Sequence, residues 1–347
     1  MAIFGSTGIF ESDTNLPEVE EVMGTMEGSD QILYEAAQDF YKINAGLYIS
    51  DVLIEQAVTE GASDPEALME GTVKDFFKRI IDAIKKFWAK VKAWFKNVIE
   101  TIKVFFMSGE KFIKQYESKL KAKNAKGFEY TAYKYTFGTA NKMYASIEKA
   151  CDKVIKDIPG KIGANTSVKA VKAAFGDAGE LESADFVEKI CKAGASNAST
   201  ISELKNAMLK GTRNNSDEPQ EWVDFNGNTK DYMISVVKDH KKTVSEIEKY
   251  DKETEAKFAN LVKAYESLER SMEGGKSDAL SIISKAASNA RSALSILQGV
   301  NATYISLVRE EYGTFVSILK RYAVYKEKES TKESVEGSLL ESAMALL

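Results

Sequence analysis

The 347-residue chain has one histidine, two cysteines and four prolines, and each scarcity excludes something. His240 stands on an apolar helical repeat with no cysteine nearby, so His-based acid–base chemistry and zinc-type ligand sets have little to draw on. Cys151 and Cys191 are too few for a disulfide framework. Cys151 shares a helical stripe with Met143, Ile147, Val154 and Ile158, and Cys191 follows Phe186, Val187 and Ile190, so both read as small buried hydrophobes. The prolines, at 17, 65, 159 and 219, leave long stretches free of the strongest helix breaker. With Lys, Glu and Ala abundant, the expectation is mostly helix.

Other signatures are missing too. There is no EF-hand spacing and no G-x-S-x-G elbow, and Ser271-Met-Glu-Gly-Gly-Lys276 fits no Walker loop. The expectation is a protein that is not an enzyme, with no catalytic residues, no metal and no cofactor. MAIFGSTGIFESD has neither a basic start nor a continuous apolar run, so no signal peptide is expected. No window holds eighteen apolar residues, so a conventional spanning helix is not expected and the chain should be soluble when made.

What the chain does have is a division of charge. Residues 1–70 carry fifteen acidic side chains and one basic, Lys42, a net of −14. Residues 71–347 carry 46 Lys and Arg against 37 Asp and Glu, a net of +9. An acidic segment ahead of a basic one suggests that the first masks or escorts the second.

The charge changes sign at Leu68-Met69-Glu70-Gly71. This tetrapeptide resembles the sites cut by the maturation proteases of tailed-phage proheads: a large aliphatic residue, any residue, then Glu before a small residue. Ile9-Phe10-Glu11-Ser12, Leu33-Tyr34-Glu35-Ala36 and Leu339-Leu340-Glu341-Ser342 fit the same pattern. The body between Gly71 and Leu339 holds no match. The resemblance, which extends to these motifs and the general layout, is to internal structural virion proteins of tailed bacteriophages. It implies cleavage after Glu70 and Glu341, and within the leader after Glu11 and Glu35. It also implies a capsid-interior location and, as partners, the prohead protease, other virion proteins and packaged DNA. The trimmed product would keep its net of +9, because residues 342–347 are uncharged. Such a product could sit among phosphates, where Lys and Arg release condensed counterions.

The fold expected is mainly α: an elongated helical bundle with one long amphipathic helix, a C-terminal helical hairpin and a small β-hairpin near 128–137. Five regions are expected: an acidic leader over 1–70, a basic amphipathic segment over 71–126, a mostly helical middle over 127–227, a long hairpin over 228–330 and a tail over 331–347. Within the leader, residues 30–60 read as a helix, with Ile32, Leu33, Ala36, Phe40, Ile43 and Leu47 on its apolar faces.

The strongest local pattern runs from 72 to 107. Val73, Phe76, Phe77, Ile80, Ile81, Ile84, Phe87, Trp88, Val91 and Phe95 recur at spacings of three and four, and the repeat continues to Phe106. The other face carries Lys74, Lys78, Arg79, Lys85, Lys86, Lys90, Lys92 and Lys96, the candidate contacts to nucleic acid or membrane. Three readings fit: an interfacial membrane helix, a basic helix on nucleic acid, or a helix whose apolar face packs internally while its lysines are solvated.

Phe128 to Phe137, dense in aromatic and β-branched residues, is the strand candidate. Further helices are expected at 139–157, 166–174, 183–193 and 200–210, and Thr212 to Gly227 reads as a polar linker anchored by Trp222 and Phe225. The last third repeats at three and four from Met233 to Leu268 and, after Gly274-Gly275, from Ile283 to Tyr322. An intrachain hairpin or a self-associating bundle would satisfy that repeat, and the second would make the chain a helical scaffold or tail component.

Overall fold

Among the described residues, those whose apolar side chains recur at three and four form helices. The computed structural model describes residues 70–156, 167–214, 218–225, 228–271 and 278–324. The elements, in order, are α1 (Glu70–Ala122), β1 (Gly127–Ala132), α2 (Gly138–Lys156), α3 (Val168–Phe175), α4 (Asp177–Glu180), α5 (Ser183–Gly194), α6 (Ile201–Thr212), β2 (Gln220–Asp224), α7 (Thr229–Lys238), α8 (His240–Ser271) and α9 (Asp278–Val324). The fold is mainly α with one small antiparallel sheet. Residues 1–69 of the leader, with the helix expected over 30–60, Pro159-Gly160, Gly274-Gly275 and the tail lie outside the described residues.

Local chemistry sets several of the boundaries. Thr200 caps α6 through a reciprocal box: its hydroxyl accepts from the Glu203 amide, and the Glu203 carboxylate accepts from the Thr200 amide, both at 3.2 Å. The Ser167 hydroxyl caps α3 by accepting from the Ala170 amide. Between α3 and α4 the chain turns at Gly176 with φ +49°, a conformation that glycine reaches without steric cost.

The core is organised around α9. Ile283, Ala287, Ala290, Leu294, Leu297, Tyr304, Val308, Tyr312, Phe315, Leu319 and Tyr322 are buried, as the repeat requires. Ile282, Ala293, Ile296, Val300, Leu307 and Ile318, on other sides of the same helix, are buried as well. A helix that is apolar around most of its circumference must be enclosed. Every other described helix and β1 touch it. Its alanines at 286, 287, 290 and 293 reduce the girth of its N-terminal half, against which the short helices α3, α4 and α5 pack.

The second organising contact joins α1 to α8. Lys85, Lys92 and Lys103 of α1 pair with Glu266, Glu255 and Glu248 of α8 at 3.1, 2.6 and 2.8 Å. Ascending numbers meet descending ones, so the two helices run antiparallel. Trp88 stacks on Phe258 at 4.6 Å between ring centroids, and Phe106 meets His240 at the other end. The two expected hairpin arms are thus present, with a break at Asp239 that separates α7 from α8. They do touch, through Tyr250 against Tyr304 and Asn301 against Thr254. However, α8 makes its broadest contact with α1, and the apolar residues of α9 are shared among all its neighbours.

The strand expected from Phe128 onward is β1, and its partner is distant. β1 pairs with β2, Phe128 opposite Val223 and Glu129 opposite Trp222, with a register shift before Ala132 and Gln220. The partner strand therefore comes from the stretch that composition alone marks as a linker. Residues 133–137 leave the sheet, and the Thr136 amide donates to the Thr212 carbonyl at 2.7 Å. Phe128, Phe225 and Tyr322 form one aromatic cluster that fastens the sheet to the end of α9. Phe225 is a buried anchor, whereas Trp222 is half exposed.

Near the centre, α1, α7 and α9 converge at Gly109. The Tyr312 hydroxyl donates to the Phe106 carbonyl at 2.6 Å and lies 3.3 Å from that of Val237. A Cβ on Gly109 would stand 2.3 Å from that hydroxyl oxygen and 2.9 Å from two ring carbons. Ala at an exposed helical Gly stabilises by roughly 1 kcal/mol. Here Gly109→Ala should have the opposite sign, with a loss of about 1–3 kcal/mol in urea denaturation from overpacking. Adding Tyr312→Leu, which removes the ring, should recover part of the Gly109→Ala loss relative to Tyr312→Leu alone.

The basic helix as a candidate functional site

Two kinds of residue line α1, and the fold treats them differently. Phe77, Ile80, Ile84, Val91, Phe95, Ile102, Phe106 and Ile113 are buried on one side, against α8 and, further along, against α7 and α9. This is the third of the three readings, with the apolar face packed internally. Among the described residues, no helix is long and apolar enough to cross a membrane.

The lysines divide into two sets. Lys85 and Lys92 bond to α8 carboxylates, and Lys96 lies 4.0 Å from Glu100 on its own helix. The hydrogen bond that Lys92 donates to Glu255, and the charge of that carboxylate, raise the Lys92 ammonium above its ordinary value. Nearby, burial and the charge of Glu255 push the Asp251 carboxyl up to about 6. Lys78, Arg79 and Lys86 are exposed and have no ion-pair partner among the described residues. Lys74 and Lys90 belong to the helix, but their side chains are outside those described. The eight candidate contacts are therefore not one uniform face. Two of them strap α1 to α8, and the outward-facing set is smaller.

Glu70 and Gly71 are the first two residues of α1. A helix's first turn lacks partners for its amides and is the easiest part to open into the extended form that a protease holds. Glu11, Ser12, Glu35, Ala36, Glu341 and Ser342 lie outside the described residues.

The structure also brings together polar groups that the sequence hid within the apolar repeat of α9. Asn289 donates to the Ala178 and Leu181 carbonyls, both at 2.9 Å, and so satisfies α4 and its C-terminal junction from the core. Gln298 and Asn301 are buried in the middle of the helix. Arg309 lies over the Phe105 ring and Lys320 over Phe112. Glu311 is 7% exposed, and burial pushes its carboxyl up to about 7. Its charge adds to burial in raising the Tyr232 phenol on α7. Cys151 and Cys191 are buried, and the Cys151 thiol donates to the Ala293 carbonyl at 3.2 Å. Burial raises the two thiols to about 12 and about 11, which leaves little thiolate for nucleophilic work near neutrality. His240 is buried, with Nδ1 3.5 Å from a Glu110 carboxylate oxygen. Among the described residues, no three His, Cys, Asp or Glu side chains are grouped so as to hold a metal ion.

Glu311 gives the fold a pH dependence of known sign. Its folded value, about 7, exceeds the ordinary 4.5, so the native state holds the proton more tightly than the unfolded chain. That contribution is complete below 4.5 and is lost as pH rises through 7. Glu311→Gln should match the parent at pH 4.5 and exceed its stability by on the order of 3 kcal/mol above pH 7, read as the variant-minus-parent difference in urea unfolding.

Comparison of the chain with protein families, with characterised proteins and with solved structures finds no match.

Proposed function

We propose that this chain is a non-enzymatic structural protein of the capsid interior of a tailed phage, trimmed after Glu70 by the prohead protease and held among other virion proteins against packaged DNA. One coincidence carries the reading. The protease-like motif, the reversal of charge from −14 to +9 and the first residues of a 53-residue basic helix fall at the same bond. A cut there removes fifteen acidic side chains against one basic and leaves α1 nearly whole. The product would present Lys78, Arg79 and Lys86 outward while Lys85, Lys92 and Lys103 hold α1 to α8.

A membrane-active role for 72–107 would require the apolar side of α1 to leave α8 and α9, so it belongs to a rearranged chain. A scaffold or tail role through 229–325 would need a surface other than the α9 repeat, whose side chains are buried within the chain.

Mass spectrometry of purified mature particles should find an N-terminus at Gly71 and no peptide that crosses Glu70–Gly71. Intact spanning peptides at full abundance would end the processing claim. Protein recovered from such particles should bind duplex DNA with an affinity that falls steeply with salt. Changing Lys78, Arg79 and Lys86 together to Gln should reduce the slope of log K against log salt by about 2–3. An unchanged slope would mean that these cations only solvate the surface.

A further inference from the structure

The small sheet has two strands, so each has one edge that no third strand covers among the described residues. β2 meets β1 broadly and little else, and Gln220, Glu221, Trp222 and Asp224 are all exposed. The ladder fixes which backbone groups face outward. The Phe225 amide donates to the Lys126 carbonyl at 2.8 Å, in the register that sets Gly127 opposite Asp224. Pairs alternate along antiparallel strands, so Val223 also turns its amide and carbonyl toward β1, and Trp222 turns its own toward the open edge. A donor and an acceptor pointing out of a strand are a template for another extended segment.

The side chains narrow the kind of segment. Trp222 is 51% exposed, and a Cβ on Gly127 would stand 2.7 Å from its indole nitrogen and 2.9 Å from its Cε2. The indole therefore rests on a glycine of the neighbouring strand while much of its surface stays open. Glu129 lies directly opposite Trp222, and Asp224 stands two residues along the same face. Within Gly127–Ala132 and Gln220–Asp224 there are three acids, Glu129, Glu221 and Asp224, and no base, in a body whose net charge is +9. Glu129 and Glu221 are exposed and have no ion-pair partner among the described residues. Lys126 and Lys134, also exposed, stand outside the two strands. This clustering disfavours two occupants and favours a third. DNA phosphates would meet carboxylates, and the β2 edge of a second copy would add its own acids to these. A basic extended segment meets neither obstacle. A Lys or Arg opposite Trp222 lays its methylenes on the indole and brings its charge into the field of Glu129 and Asp224.

We infer that the open edge of β2 is a docking site for a basic, extended segment of a partner protein, which adds as a third strand and seats a Lys or Arg on Trp222. Docking of this kind requires neither DNA nor a cut after Glu70, and so stands apart from the proposed function. The outward cations of α1 and the acidic sheet then serve ligands of opposite charge.

The test uses the full chain labelled with 5-fluorotryptophan, in which Trp222→Phe identifies one of the three fluorine signals. Titration with a peptide of alternating Lys and Val should shift the Trp222 signal and leave those of Trp88 and Trp94 in place, whereas a peptide of alternating Glu and Val should shift none. The same Lys–Val peptide N-methylated at its lysines, whose amides would face β2, should bind severalfold more weakly, read by anisotropy of a dye on the peptide. Trp222→Thr, which keeps a strand-forming residue, should also bind it severalfold more weakly. Glu129→Lys/Glu221→Lys should lose the Lys–Val peptide and gain the Glu–Val peptide, an exchange that unfolding would not produce. Glu180→Lys/Asp185→Lys, at exposed acids of α4 and α5, should bind as the parent does. Equal binding of the two peptides by the parent, or an affinity unchanged by N-methylation or by Trp222→Thr, would overturn the docking. A Trp222 signal that moves with protein concentration alone would assign the edge to a second copy, and one that moves with duplex DNA would assign it to nucleic acid; either would overturn it as well.

Discussion

Helix α9 is apolar around most of its circumference, and in water such a helix persists only when other elements enclose it. This requirement gives the short middle helices their reason to fold. α3, α4, α5 and α6 are each too short to be stable as isolated helices, where nucleation outweighs the few bonds gained. Packed on α9 they bury Val171, Phe175, Phe186, Ile190, Leu204 and Met208. The same enclosure explains why polar groups on α9 take unusual roles. Asn289 bonds to backbone carbonyls of a neighbouring element, Arg309 and Lys320 lie over aromatic rings, and Glu311 favours its neutral form.

The α1–α8 pairing does something different. It takes an amphipathic, aromatic-rich helix and covers it with one of the most polar of the described helices, so most of the contact's stability must come from a narrow row of rings and aliphatic groups such as Trp88 on Phe258. The flanking ion pairs are largely solvent-exposed and contribute little energy each, but they fix which way α8 runs. Side chains that look equivalent along a helical wheel are thereby separated: some hold the bundle together, and others face solvent.

Long, strongly periodic segments were legible from residues alone because their signal is local. The helix over 72–107 is present and longer, the expected 183–193 is Ser183–Gly194, and 139–157 is Gly138–Lys156. Non-local pairing was not legible. Nothing in Gln220–Asp224 announces that it will lie beside Gly127–Ala132, since the two are brought together by the packing of the helices between them. Nor could spacing separate Lys85 from Lys86, adjacent in sequence, one bonded to Glu266 and the other facing solvent. The buried Glu311 was hidden for a related reason. In Arg309-Glu-Glu-Tyr312 two acids stand side by side, and only the third dimension shows that Glu310 bonds to Tyr135 and Arg213 while its neighbour is enclosed.

The antiparallel seam between α1 and α8 also has a schedule. Lys92 and Glu255 are separated by 163 positions. At translation rates of about 5–20 residues per second, α1 leaves the ribosome on the order of ten seconds or more before the helix that will cover it exists. During that interval its row of Phe, Ile and Trp side chains is attached to a nascent chain with no α8 to bury it. Whatever stands immediately upstream of α1 is the one part of the molecule already synthesised, and so the first in a position to keep that surface from aggregating.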